Sequence, residues 1–111
     1  MKADIKKHLH DVDVSINSIF EYLGDKQDFK EYLKNKLLRR AVEREIEIIG
    51  EAINRALKLE PGLHIENARR IVDTRNWVIH GYDKVDDVVI WGIVVNHLPE
   101  LQQEIQRFLQ E

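Results

Sequence analysis

The amino-acid sequence predicts an all-α fold, an antiparallel bundle of four to five helices in a single domain that spans residues 1–111. Apolar residues recur at spacings of three and four along most of the chain, which is the period of helices that bury one face. The chain has only five glycines and two prolines, so residues that favour turns are few. The β-branched run Val88-Val89-Ile90 has no second strand pattern with which to pair, so we expect no sheet.

The first predicted helix extends from Asp4 to Leu23. Gly24 follows it, and glycine readily takes the left-handed conformation that is common just past a helix end. The apolar residues of this segment recur at helical spacing and should form one buried face. They are Leu9, Val12, Ile16, Ile19, Phe20 and Leu23.

The second predicted helix begins at Asp28, which has with Glu31 the spacing of a capping box. It continues to Leu59, and Pro61-Gly62 ends it. Because so long a helix is unusual in a globular domain, we expect a kink near Asn35. Its apolar stripe consists of Phe29, Leu33, Leu37, Leu38, Val42, Ile46, Ile49, Ile53 and Leu57.

Two further helices complete the expected bundle. The third runs from about Ile65 to Tyr82, with the permissive Gly81 close to its end. The fourth starts near Asp86 and is apolar nearly all round, so it should be well buried. Pro99 lacks a backbone donor and should kink or restart this helix. The apolar residues of the fourth segment are Val88, Val89, Trp91, Val94, Val95 and Leu98.

Composition excludes several classes of protein. With no cysteine, the chain has no disulfide framework, thiolate metal site or cysteine nucleophile. The N-terminus lacks the apolar stretch of a signal peptide, and the longest apolar run, Val88 to Val95, is too short to span a membrane. We therefore expect a cytoplasmic protein. Its net charge of -3 means that any RNA must be met by a local basic patch, which two subunits could form together.

The octad Arg75-Asn76-Trp77-Val78-Ile79-His80-Gly81-Tyr82 is the most informative stretch. Asn76 and His80 are four residues apart and share one face of a helix, whereas Arg75 and Tyr82 are two turns apart and form a second stripe. A histidine with a pKa near its reference value of about 6.5 can give and take protons at neutral pH. An arginine can hold a phosphate in a bidentate grip. The spacing alone leaves open the more frequent case, in which these are ordinary surface residues.

The octad resembles the signature of the HEPN superfamily, an Arg and a polar residue followed after a short spacer by His. His80-Gly81-Tyr82 resembles the His-x-Tyr extension of the HepT-like subgroup. Residues 40–52 are similar to the long second helix of that subgroup, and residues 85–101 to its final helix. Members often carry Pro and Trp just before the motif helix, where this chain has Leu63-His64-Ile65-Glu66.

The resemblance implies a homodimer whose two motifs face a shared cleft. It implies a metal-independent endoribonuclease toxin of a type VII-like toxin–antitoxin system, without a cofactor, that cleaves RNA such as tRNA. His80 would be the general acid and base, Arg75 would bind phosphate, and Asn76 would orient the imidazole of His80 or donate to the phosphate. The partner would be a minimal nucleotidyltransferase antitoxin that transfers AMP onto Tyr82, adding bulk and negative charge where RNA must bind.

Other polar residues are less strongly indicated as functional residues. Arg40 and Arg44 are one turn apart on the second helix and could contact RNA or the partner, although the surrounding glutamates also suit a solvated charged face. His8 and His10 lie among aspartates, but residues two apart on a helix point in different directions, so no metal site is expected. His97 is most simply a boundary residue.

Two other functions remain compatible with the sequence. In the first, the domain is a non-catalytic regulatory or substrate-binding subunit of a minimal nucleotidyltransferase, which fits the acidic balance somewhat better. In that case the motif binds a nucleotide or the partner, and no RNA is turned over. In the second, the domain is a plain helical dimerisation protein, which requires the octad to be accidental.

Overall fold

A computed structural model describes residues 2–25, 27–80 and 86–111, and for Trp77, Ile79 and His80 it describes the backbone alone. Within these ranges the regular elements are all helical. In chain order they are α1 (Ala3–Leu23), α2 (Phe29–Lys34), α3 (Lys36–Leu59), α4 (Ala68–His80), α5 (Asp87–Gly92), a π-helical segment (Ile93–His97) and α6 (Leu98–Gln110). The expected all-α fold is confirmed.

Helix α1 has the bounds that its apolar pattern predicts. Gly24 follows it with φ at 67°, and its backbone N–H donates to the carbonyl of Phe20. The buried face of α1 packs against α3 and α6. It consists of Ile5, Leu9, Val12, Ile16 and Ile19, all of them essentially inaccessible to solvent.

The break expected near Asn35 separates α2 from α3. Asn35 has extended backbone angles, and its side chain accepts the N–H of Leu38 at 3.0 Å, so it caps α3. At the start of α2, Asp28 accepts the N–H of Lys30 at 2.9 Å. A capping box would have Asp28 accept the N–H of Glu31, the third helical residue. It accepts the N–H of the second residue instead, so the predicted capping box is wrong.

Helix α4 starts three residues later than its apolar pattern predicts. Asn67 has φ at 62°, a left-handed conformation that asparagine tolerates but that cannot belong to a right-handed helix. Ile65 nevertheless lies in the core, because the turn before α4 buries it. The predicted end of this helix at Tyr82, and the glycine before it, lie outside the described residues.

Helical structure continues through Pro99 without an intervening loop. Asp86 caps α5 by accepting the N–H of Val88 at 3.0 Å. The Leu98 N–H reaches back five residues to the Ile93 carbonyl, which is the π pattern. Proline supplies no N–H for the carbonyl four residues before it and would clash with that carbonyl in a regular helix. A wider turn immediately before Pro99 relieves this conflict.

The elements pack around α3. Helix α3 contacts α1, α2 and α4, while α6 contacts α1. Helices α1 and α6 are antiparallel, because Lys6 bonds to the carbonyl of Glu111 whereas Asn17 bonds to Gln102. In the described part of the chain no helix is both long enough and apolar enough to cross a bilayer.

Some of the expected core residues lie at the surface. Leu37, a member of the predicted α3 stripe, is 81% exposed, because it lies in the first turn of α3, just past the break. Val88 is 65% exposed, so the expectation that the fourth segment is buried all round is wrong at its first turn. Further along, Ile90, Val94 and Leu98 are buried as expected.

Candidate functional site

Helix α4 carries the described part of the octad. Arg75 and Asn76 lie in its second half, and the backbone of His80 occupies the last position of the helix. Asn76 and His80 are therefore one turn apart on the same face of α4, as the sequence predicts. Tyr82, the expected AMP acceptor, lies outside the described residues.

A glycine lets α4 approach α3 closely beside Arg75. A Cβ built on Gly50 would lie 2.3 Å from the Cβ of Arg75 and 3.3 Å from the carbonyl oxygen of Ile71. No real Cβ tolerates such a contact, so residue 50 must be glycine if the helices are to keep this separation. Burial of Ile71 in the same contact holds the helix against the core.

The guanidinium of Arg75 is bound by the carboxylate of Glu51, the residue after that glycine. Nη2 of Arg75 donates to Oε2 of Glu51, while Oε1 of Glu51 accepts from Nε of Arg55 at 2.9 Å. Glu51 thus joins one arginine of α4 to one of α3. Two positive charges share one negative charge, so this cluster retains a net positive charge.

Arg75 is also tied to its neighbour in the chain. Its Nη1 donates to Oδ1 of Asn76 at 2.8 Å. Its Nε is buried and has no hydrogen-bond partner among the described residues. The side chain of Arg75 is about one-quarter exposed, so it is held in place yet reachable from solvent. Two of the predicted site residues, Arg75 and Asn76, are therefore in direct contact.

The two basic residues predicted on the second helix lie on a charged face of α3. Arg40 pairs with Glu43 at 2.9 Å, and Arg44 pairs with Glu47 at 3.0 Å. Arg40 and Glu51 are eleven residues apart, three helical turns, so they share one face of α3. Both arginines are mostly exposed, and that face leads along α3 towards Arg75.

The aspartates beside His8 and His10 have ordinary polar partners. Lys7 pairs with Asp11 at 2.9 Å, and Asp13 accepts from Gln102 at 3.1 Å. Among the described residues, no three His, Asp or Glu side chains are placed so that they could hold a metal ion.

Sequence reasoning missed Glu51 as a site residue. Its partner Arg75 is 24 positions away, a separation at which one sequence gives no pairing signal. Gly50 was a usable signal, because a glycine inside an apolar helical pattern often has a packing reason.

Comparison with known proteins agrees with the motif. A family model described as Ribonuclease HepT-like matches residues 12–108. A Methanocaldococcus jannaschii protein named "Putative RNase" is 35% identical over 107 residues, covering 95% of this chain and 96% of the relative. A second protein of that organism with the same description is 30% identical, covering 99% of this chain and 95% of the relative.

A protein of Thermococcus cleftensis named "Probable ribonuclease HepT" is 32% identical over 108 residues, covering 96% of this chain and 97% of the relative. No solved structure gives a significant match. The family match covers nearly the whole chain, including α4 and its motif, and it confirms the resemblance that the octad indicates. The chain therefore belongs to the HepT-like ribonuclease family of the HEPN superfamily.

Proposed function

We propose that the protein is a metal-independent endoribonuclease that acts as the toxin of a toxin–antitoxin pair. In this proposal Arg75 binds the scissile phosphate, and His80 is the general acid and base. The observation that carries it is the constrained guanidinium of Arg75, which Glu51 and Asn76 hold at the surface of α4 in a chain of the HepT-like family.

The chemistry needs a base and a fixed cation near one phosphodiester. A base removes the proton of an RNA 2′-hydroxyl, and that oxygen attacks the adjacent phosphorus. The bond from phosphorus to the 5′-oxygen breaks, and an acid returns a proton to the leaving oxygen. The products are a 2′,3′-cyclic phosphate and a free 5′-hydroxyl. Histidine suits both proton transfers, and Arg75 would stabilise charge on the phosphate oxygens.

The ion pair of Arg75 supports a binding role in a specific way. Fixing the guanidinium before RNA arrives lowers the entropic cost of holding the phosphate. An arginine has five N–H donors, and the contacts with Glu51 and Asn76 use only some of them. The remaining N–H donors can bind phosphate while Glu51 stays bound to the guanidinium.

The antitoxin in this proposal is a minimal nucleotidyltransferase, and Tyr82 is the residue it modifies. The phenolic oxygen of Tyr82 would attack the α-phosphorus of ATP, forming an O–P bond with loss of the phenolic proton and of pyrophosphate. Tyr82 is two residues after His80, so the added phosphate would place negative charge close to the position proposed for RNA phosphate. We further propose that the working unit is a homodimer, because a chain with net charge -3 needs two basic clusters to hold RNA.

The test is cleavage of total cellular RNA in EDTA, beside the variants His80→Ala and Arg75→Ala. We expect the wild type to cut RNA and to leave 2′,3′-cyclic phosphate ends, and both variants to lose activity by at least about a hundredfold. The exposed Arg107 of α6 provides a matched control, since Arg107→Ala should cut RNA like the wild type. Mass spectrometry must first show that Tyr82 is unmodified. A folded, unmodified wild type that cuts no RNA would sink the proposal.

A non-catalytic role is the second candidate. The carboxylate of Glu51 already pairs with Arg75, as expected if the arginine organises α4 rather than binding a substrate. In that case the chain would serve as the regulatory or substrate-binding subunit of a nucleotidyltransferase. Nucleotidyltransferase activity that depends on this chain, together with no RNA cleavage, would favour it.

A further inference from the structure

A groove with a volume of about 750 Å³ separates α4 from α5 and the π-helical segment. Helix α4 packs mainly on α3, which leaves its opposite side less covered. One wall of the groove includes Arg69, Arg70 and Thr74, and the other includes Asn96 and His97. The groove therefore runs along the helix that carries the octad, on a side away from the contact with Gly50.

Arg70 and His97 are joined across this groove. Nη1 of Arg70 lies 2.8 Å from Nε2 of His97. A guanidinium can only donate, so Nε2 must accept and the ring proton must be on Nδ1. The bond thus requires a neutral imidazole. His97 acts as a support that fixes the guanidinium, and the other N–H groups of Arg70 remain available as donors.

Within the described part of the chain, no carboxylate balances the charge of Arg70. Among the described residues, the arginines without a carboxylate oxygen within 4.0 Å are Arg70 and Arg107. The neighbouring Arg69 lies 3.8 Å from Asp73, which lines the same groove. Arg70 therefore gives the groove an oriented and uncompensated cation, which is what an anionic ligand requires.

The π-helical segment contributes the second wall. A π turn contains one more residue than an α turn and is frequent at functional sites. Here it carries both Asn96 and His97, which line the groove. The side-chain amides of Asn96 and Asn67, on opposite walls, can each donate and accept hydrogen bonds, which suits a polar ligand.

We propose that this groove binds a backbone phosphate of the RNA strand through Arg70, with His97 as the positioning residue. The inference rests on the proposed ribonuclease function and adds a second phosphate site to it. Arg70 lies ten residues before His80 on one helix, roughly 15 Å along its axis at 1.5 Å per residue. A strand of a few nucleotides spans such a distance, so one RNA can occupy both sites.

The experiment measures binding of a single-stranded oligoribonucleotide to the intact chain carrying His80→Ala, by fluorescence anisotropy at several salt concentrations. Adding Arg70→Ala should weaken binding about fivefold and lower the slope of log K against log salt by about 0.7, the loss of one phosphate contact with a single strand. Arg107→Ala, which removes the other uncompensated arginine, should change neither quantity. Arg70→Lys should restore the slope, since it keeps the charge.

Two further variants test the positioning role. His97→Gln places an amide oxygen near the former Nε2 and should retain most of the affinity. His97→Ala should weaken binding but leave the slope in place, because Arg70 keeps its charge and loses only its support. If the Arg70→Ala and Arg107→Ala chains share one affinity and one slope, the groove does not bind RNA. ATP binding that is tighter than RNA binding and depends on Arg70 would overturn the proposal in favour of a free nucleotide. Dependence on Arg70 only for nucleotidyltransferase binding would overturn it in favour of a protein partner.

The binding assay uses a chain without the proposed base, so it separates the two proposals. If the wild type cuts no RNA but binding depends on Arg70, the ribonuclease proposal fails and the groove remains an RNA site. If the wild type cuts RNA and binding does not depend on Arg70, only the groove proposal fails and the ribonuclease proposal stands.

Discussion

Glu51 of α3 binds the guanidinium of Arg75 of α4 across 24 positions of sequence. The carboxylate lies next to the glycine that lets the two helices meet, and its other oxygen holds Arg55. Helix packing and side-chain orientation are therefore set at one place. Any change in the separation of α3 and α4 must also move the arginine proposed to bind phosphate.

Two substitutions of Glu51 separate its charge from its hydrogen bond. Glu51→Ala leaves the guanidinium without its support and should lower kcat for RNA about tenfold or more, because a cation must be preorganised to stabilise developing charge. Glu51→Gln keeps an acceptor for Arg75 and removes a negative charge, so it should keep kcat within about threefold and lower KM. Steady-state cleavage of one oligoribonucleotide measures both constants. Equal kcat values for the two variants would contradict a positioning role.

Gly50→Ala should destabilise the fold by about 1–3 kcal/mol, since the new Cβ collides with the side chain of Arg75 and the helices must separate. The measurement is urea unfolding followed by circular dichroism. The matched control is Gly92→Ala in α5, where the added Cβ meets no described atom within 4 Å beyond its chain neighbours and the backbone of its own helix. That change should raise stability by up to about 1 kcal/mol, because alanine is the better helix former. Destabilisation of the same size at both positions would refute the close approach.

Arg40 and Arg44 should each contribute one phosphate contact if the charged face of α3 binds RNA. The double substitution Arg40→Ala with Arg44→Ala should lower the slope of log K against log salt by about 1.4, which is twice the value for one contact with a single strand. Loss of Arg44 should change stability little, because its pair with Glu47 is exposed and contributes only about 0–1 kcal/mol. Loss of Arg40 should lower stability, because it leaves the buried carboxylate of Glu43 without this cation. If the slope of log K against log salt is unchanged, Arg40 and Arg44 do not contact RNA and are ordinary solvated surface residues.

Tyr32 should make stability sensitive to high pH. Burial first, and then the negative charges of Asp87 and Glu43, raise the pKa of its hydroxyl above the ordinary value of 10.0. The unfolded chain therefore loses this proton at a lower pH than the folded chain does. The contribution to stability is complete below about pH 10 and is lost as the pH rises above it.

Tyr32→Phe should reduce that loss, as measured by urea unfolding at pH 7 and pH 10.5. At pH 7 the variant should be no less stable than the wild type, because the hydroxyl is buried without a partner among the described residues. Tyr22→Phe is the comparison for burial, since Tyr22 is substantially exposed and the pKa of its hydroxyl is raised chiefly by its hydrogen bond to Glu45. If both variants lose stability equally above pH 10, burial of Tyr32 is not the cause.

Local patterns were sufficient to predict the helices. Helical periodicity and turn residues predict the bounds of α1, the break at Asn35 and the start of α5, because each depends on residues only a few positions away. The start of α4 was predicted too early, since the apolar spacing of Ile65 continues across a turn in which Asn67 is left-handed. The exposure of Leu37 and Val88 depends on which helices cover the ends of α3 and α5, and periodicity carries no such information.

The candidate site was predictable only in part. The positions of Arg75 and Asn76 follow from the motif and the helical period, but their contact with each other is a choice of side-chain conformation. The partners Glu51 and His97 come from other helices and are brought near by the tertiary fold. A single sequence contains no signal for such pairs. The roles of His80 and Tyr82 remain predictions.

Because of the π turn before Pro99, the uninterrupted helical segment from α5 to α6 packs against two different neighbours. An extra residue rotates everything after it by about 100° relative to a regular helix. Trp91 can therefore pack with Phe29 and Tyr32 on the α2 side, while Leu101 and Ile105 stay in the core that α6 shares with α1. Deleting one residue between Gly92 and Leu98 would replace the π turn with a regular α-helical turn. Either α5 or α6 would then rotate its apolar face away from the helix it packs against. The length of this segment is thus as constrained as its composition.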